Sequence, residues 1–237
     1  MTVVEHLTEL RNRLIISVIA FLVASIVAYF FYDPILDLLR SPLDEAGKIA
    51  GITVKDGLSI SGITTAFLLK VKVSLFAGFL GALPVILFQL WRFITPGLES
   101  KEKRYAIPFV AGSVFLFLVG ALVAYLTLPS ALGFLLRFTR GFNQIIFVND
   151  YIGFVTFLVL AFGITFELPM VLIFLAMVGI VSSRWMRSHR RHAVVVCFVI
   201  GAVATPSQDP YTNTLMALPL YLLYEASLLI IRFGMRK

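Results

Sequence analysis

Long apolar runs separated by short charged turns set the pattern of this chain. Positions 14–31, 65–91, 105–128, 152–181, 193–204 and 211–231 are almost wholly apolar, and Lys, Arg, Asp and Glu gather between them. Most of these runs reach the roughly twenty residues that a helix needs to cross about 30 Å of hydrocarbon at about 1.5 Å per residue. Their Leu, Ile, Val and 22 Phe fall in unbroken stretches. A membrane barrel would show weak ten-residue alternation instead. The pattern predicts an all-α integral membrane protein with six transmembrane helices.

The run at 193–204 is short, roughly 18 Å as a helix. Three arrangements accommodate it: it borrows residues from the basic stretch before it, the membrane thins there, or 193–204 and 211–231 dip in and return as a pair. All three leave the C-terminus on the side of that basic stretch.

Between the runs, residues 2–13 read as an amphipathic helix. Thr2 and Glu5 fit a capping box, and Val3, Leu7, Leu10 and Leu14 share a stripe,. Such a helix is expected to lie along the interface before turning into the membrane. Asp33-Pro34 begins a brief amphipathic turn that Ser41-Pro42 is expected to end, and the polar stretch through Gly62 is expected to form a folded cap,. Lys70 and Lys72 sit near one end of the second run, where long stems can snorkel to headgroups,.

Composition agrees with a membrane protein. Of 237 residues 59% are hydrophobic and 14% charged, with mean hydropathy +0.96, whereas a soluble domain is nearer a quarter charged. The net charge of +7 therefore bears on orientation rather than on nucleic acid. Most Lys and Arg lie in the N-terminus (Arg11, Arg13), in the turn after the second run (Arg92, Lys101, Lys103, Arg104), in 184–191 and in the tail. The opposite side carries fewer, offset by Asp33, Asp37, Asp44, Glu45, Asp56, Asp150 and Asp209. The positive-inside rule then places both termini in the cytoplasm. Cys197 stands alone inside an apolar run, so no disulfide framework exists. The first run closes on Tyr29-Phe30-Phe31-Tyr32-Asp33-Pro34, without a small-residue cleavage site, and reads as a retained helix,.

Few residues offer chemistry. Glu167, in Phe162-Gly163-Ile164-Thr165-Phe166-Glu167-Leu168-Pro169, lies mid-run, where an ionisable group is costly and usually functional. Pro169 cannot donate to the Thr165 carbonyl, so a polar defect adjoins the acid. The bland alternative is a protonated or bonded structural acid. Glu225 is nearer a run end and reads as reaching headgroup water. Glu9, Glu99 and Glu102 share the basic side, and local pairing, such as Glu9 with Arg13, explains them on composition alone,. His189 and His192 have no carboxylate or cysteine companion, which argues against a metal. Phosphate loops and hydrolase triads are missing, so neither an enzyme nor a cofactor is indicated. A proton-coupled secondary transporter using Glu167 is the rival reading.

The order of these pieces resembles the TatC family, the membrane receptor subunit of the twin-arginine protein translocase. The carriers are His6-Leu7-Thr8-Glu9-Leu10-Arg11-Asn12-Arg13-Leu14, Ser41-Pro42-Leu43, the stretch from Pro84 through Trp91-Arg92-Phe93-Ile94-Thr95-Pro96-Gly97-Leu98, Glu102-Lys103-Arg104, the Glu167 segment and Leu223-Tyr224-Glu225. Together they span nearly the whole chain. Departures are Gly97, where Ala is common, and the variable turn 205–209.

The resemblance implies a single membrane domain over 1–237, a concave, glove-like bundle with short fifth and sixth helices, and a multi-pass place in the cytoplasmic (inner) membrane. It implies that Glu9, Arg11, Phe93, Pro96 and Glu102 bind the twin-arginine motif of signal peptides, Glu102 rather than Glu99 being the acid in the turn. It assigns functional weight to Pro42, and to Glu167 as a polar point in the concave face; Asp209, in the variable turn, joins the candidates. The implied partners are Arg-Arg signal peptides of folded precursors, single-span subunits of the TatA and TatB type, further copies of the chain and the lipid bilayer, with transport driven by the protonmotive force.

Overall fold

A computed structural model describes residues 3–51, 58–94, 106–139, 145–204 and 210–234. Among these the chain is almost entirely helical: α1 (Val3–Phe30), α2 (Tyr32–Ala50), α3 (Ile63–Ile94), α4 (Ala106–Arg137), α5 (Val148–Thr165), α6 (Leu168–Met177), α7 (Ser183–Ser188), α8 (Arg190–Ala204) and α9 (Pro210–Leu229), with a π-helical turn over Ile230–Gly234. Five segments are long and apolar enough to cross a membrane: Val4–Phe30, Ile63–Ile94, Ile107–Arg137, Val148–Met177 and Pro210–Gly234. The remaining apolar run falls in α8, which starts at Arg190 and so takes its first turn from the basic stretch. Its 15 residues make about 22 Å of helix.

Several boundaries differ from the sequence expectations, each for a physical reason. The charged first turns and the apolar run after them form one continuous helix, α1, with no turn at residue 13. Leu14, Ile15 and Ile16 continue it without a breaker, and the helix is held on one side by α3. Helix α2 does not end at Ser41-Pro42 but runs through Pro42 to Ala50. Leu36, Leu39, Leu43, Ala46 and Ala50 recur every three or four residues and are all buried. The burial of that stripe outweighs the roughly 3 kcal/mol that an interior proline costs. Pro129 likewise fails to stop α4, which reaches Arg137 with Ala131, Leu132 and Leu136 buried. The helix expected over 152–181 starts earlier, at Val148, whose N–H donates to the Ser59 carbonyl at 2.9 Å. It also breaks, at Phe166–Glu167, with Pro169 in the first turn of the helix that follows,. The Glu167 N–H bonds the Ile164 carbonyl at 3.1 Å, a tighter step than the α-helical one,. Gly179, at φ 85°, turns the chain after α6,.

The chain forms two compact units. The first contains Met1–Arg40, Leu58–Phe115 and Phe147–Ile152; the second contains Ser41–Gly57, Leu116–Ile146 and Gly153–Lys237. In the first, α1 packs along α3. A Cβ on Gly78 would overlap the backbone of Ser25, so glycine lets the two helices touch, the small-residue contact that membrane helices use in place of a hydrophobic driving force. In the second, Ala176, Val181, Met186, Tyr224, Leu228 and Ile231 form a buried cluster joining α6, α7 and α9. The Tyr224 hydroxyl donates to the Met186 carbonyl at 2.8 Å within it, satisfying a polar group that burial would otherwise penalise.

Candidate functional site

His6, Glu9 and Arg13 are spaced by three and four residues and share one face of α1. The Arg13 guanidinium is the hub. Its Nε and Nη2 both donate to Oε1 of Glu9, Nε at 3.0 Å, and its Nη1 donates to Oε1 of Gln89 on α3 at 3.3 Å. Only 14% of the Arg13 side chain and 19% of the Glu9 side chain are exposed, and Gln89 is buried. Shielding of that degree makes removal of either charge far more damaging than at an open surface pair.

One turn of α3 beyond Gln89, His6 makes a second contact between the two helices. Its ring lies on that of Phe93, centroids 4.4 Å apart and 14° between planes. Phe93 is thus in the last turn of α3 rather than in a loop. Beside it, the Trp91 indole N–H donates to the buried Ser113 hydroxyl at 3.2 Å and its ring packs on Phe109, centroids 4.7 Å apart. These contacts fasten the end of α3 to the first turns of α4.

One acceptor in this cluster is left over. Oε2 of Glu9 is buried and has no hydrogen-bond partner among the described residues. A carboxylate held through one oxygen, with the other unpaired, keeps an acceptor for one further N–H donor. Arg11 is exposed on a different face of α1. Pro96, Glu102 and Asp209 lie outside the described residues. Glu9 and Arg13 form the local pair that their four-residue spacing predicts,. Gln89 and His6 join them only through the fold; in the sequence, Gln89 shows as an amide within the apolar run 84–91.

The other sequence candidates fall elsewhere. Glu167 is the half-buried residue preceding α6, and its side chain does not cap that helix. Around it α4 and α5 approach closely. A Cβ on Gly163 would meet the Phe117 ring at 2.5–2.8 Å, and one on Gly120 would meet the Phe162 carbonyl oxygen at 2.8 Å. The glycine of the Phe162–Pro169 segment is therefore a packing requirement. Pro42 is buried inside α2, and the neighbouring Ser41 hydroxyl is 2.7 Å from that of Tyr125. Glu225 pairs with Arg190 at 2.7 Å and accepts from the Tyr221 hydroxyl at 2.9 Å. His189 stacks on Trp185, centroids 4.4 Å apart.

Residues 5–219 match the family model described as Sec-independent protein translocase protein (TatC). The chain belongs to the TatC family. It is 44% identical over 243 residues to the Sec-independent protein translocase protein TatC of Aquifex aeolicus, covering 100% of this chain and 97% of the relative. Identity to the TatC of Frankia casuarinae is 42%, over 97% of this chain; the chain spans 65% of that relative's length. A crystal structure of a twin-arginine translocase receptor, TatC, superposes with a TM-score of 0.80 at 43% identity, covering 98% of this chain and 100% of that one. The TatC fold is thus the all-helical membrane fold described above, and membership places the chain among non-enzymatic components of a protein translocase.

Proposed function

We propose that this TatC-family chain is the receptor for Arg-Arg signal peptides, with the face formed by the first turns of α1 and the last turns of α3 as the docking site. The supporting observation is the Glu9 carboxylate, whose Oε1 is held by Arg13 while Oε2 is buried without a hydrogen-bond partner among the described residues. Two neighbouring guanidiniums need planar, bidentate acceptors, and carboxylates supply them; a Lys-Lys peptide keeps the charge and loses the fork. Phe93, fixed by His6, offers an aromatic face to a guanidinium or to an apolar residue of the peptide. Pro96 and Glu102, which lie outside the described residues, and Arg11 complete the proposed set.

The charge distribution supports the orientation in this scheme, and family membership supports the partners,. Six crossings, α8 being the short fifth, with both termini cytoplasmic, put the basic segments and the docking face on one side of the cytoplasmic (inner) membrane. The partners are folded precursors carrying Arg-Arg signals, further copies of the chain, and single-span subunits of the TatA and TatB type, with transport driven by the protonmotive force. Glu167 acts after docking, in assembly or transport.

The deciding experiment is site-specific crosslinking of an Arg-Arg signal peptide to the full chain in membranes. Glu9→Ala and Glu102→Ala each weaken it, as does Arg-Arg→Lys-Lys in the peptide. Unchanged crosslinking in all three removes the receptor assignment.

A further inference from the structure

At the opposite end of α3 from Gln89, a groove of about 280 Å³ opens between α1 and α3. Leu22, Ile26 and Phe30 line it from α1, and Val71 and Leu75 from α3. Two serines also border it, but neither presents a polar group to it: the Ser25 hydroxyl donates to the Phe21 carbonyl and the Ser74 hydroxyl to the Lys70 carbonyl, each at 2.7 Å. The lining is therefore apolar in effect. Its rim faces outward, with Leu22, Ile26 and Phe30 exposed at 49%, 61% and 79%. In a membrane-spanning pair of helices, that opening meets lipid.

A cation stands where the groove ends. Lys70 lies about 10 Å along α3 from its start at Ile63,, level with the end of α1. Its Nζ is 4.3 Å from the ring centre of Tyr29, which also lines the groove, and 5.4 Å from that of Tyr32. No carboxylate pairs with Lys70 among the described residues. The two rings hold the ammonium in place and supply only part of what water would; its charge remains to be answered. Apolar lining below, a fixed unpaired cation above and an opening to lipid match the order of parts in a phospholipid.

We infer that this groove is a binding site for one anionic phospholipid, an acyl chain lying between α1 and α3 and the headgroup phosphodiester accepting from Lys70. The tyrosine rings sit at the level of the ester linkages, where amphipathic aromatics are favoured. Net negative charge on the headgroup matters, because a zwitterionic lipid brings its own ammonium to the same place.

The test is native mass spectrometry of the purified full chain, equilibrated with equal amounts of phosphatidylglycerol and phosphatidylethanolamine of identical chains. The expected result is preferential retention of phosphatidylglycerol. Lys70→Gln lowers that retention roughly fivefold, the weight of one basic residue at an anionic surface, while Lys70→Arg keeps it. Lys72→Gln, with the same loss of charge two residues away, leaves it unchanged. Val71→Trp, which fills the groove, lowers retention of both lipids, and soluble glycerophosphate at matched concentration does not compete. Equal retention of the two lipids, equal losses in Lys70→Gln and Lys72→Gln, full retention in Lys70→Gln or Val71→Trp, or competition by glycerophosphate would each overturn the assignment.

Discussion

The ring of His6 lies flat on that of Phe93, with centroids 4.4 Å apart and 14° between the planes. The contact ties the second turn of α1 to the last turn of α3 and sets the aromatic face beside Glu9. Stacked aromatic pairs contribute about 0.5–1.5 kcal/mol beyond area burial. His6→Ala is expected to weaken signal-peptide binding by roughly twofold to tenfold, and His6→Phe, which preserves the stack, to leave it near the parent value. Binding titrations with a labelled peptide check both, and an equal loss in the two variants would show that the imidazole itself, not the stack, is required.

Gln89 is the only α3 group that holds the Arg13 guanidinium among the described hydrogen bonds. Gln89→Leu leaves the Glu9–Arg13 pair in place but frees it to rotate away from α3. Peptide affinity should fall by about 1 kcal/mol, roughly fivefold, with the helix content unchanged by circular dichroism. Parent-level affinity would mean that the carboxylate is oriented by α1 alone.

Glu167 is set apart from this cluster in the chain's organisation, since it belongs to the second compact unit while Glu9, Gln89 and Phe93 belong to the first. Glu167→Gln is expected to leave peptide docking intact and to reduce transport of a folded precursor. Measured side by side, lost docking would assign Glu167 to the primary site or to the fold.

Gly120 tests the packing that carries Glu167. A Cβ there would stand 2.8 Å from the Phe162 carbonyl oxygen and from Cβ and Cγ of Phe166. Backbone and a buried ring cannot yield as a flexible chain end does, so Gly120→Ala should destabilise by about 1–3 kcal/mol. A lower thermal midpoint in detergent is the expected readout, and an unchanged midpoint would show that α4 and α5 separate at little cost.

Much of the fold was legible in the sequence because a membrane helix satisfies its own backbone hydrogen bonds within one segment. Apolar run length therefore marks the elements directly, and five of the six expected runs fall in helices long enough to cross. The proline at 169 also announced a polar defect beside Glu167, since a missing N–H is a local fact, though the helix break there was not foreseen. Pro42 misled. Pro42 and Pro129 sit inside α2 and α4, where a buried stripe decides what one missing hydrogen bond cannot.

The candidate site was half visible for a related reason. Glu9 and Arg13 are four residues apart on one helix, and that spacing alone predicts their pairing. The Arg13–Gln89 hydrogen bond and the His6–Phe93 stack join residues far apart in the chain, and no periodicity encodes them. They arise because Gly78 admits Ser25 at close range, bringing α1 onto α3 along their length. By itself, then, the sequence determined the helices, their apolar character and the charge of the turns, all properties of short stretches. Only the tertiary structure decided how the Glu9–Arg13 pair is anchored and that Oε2 of Glu9 is buried without a described partner, because both depend on where α3 places its side chains.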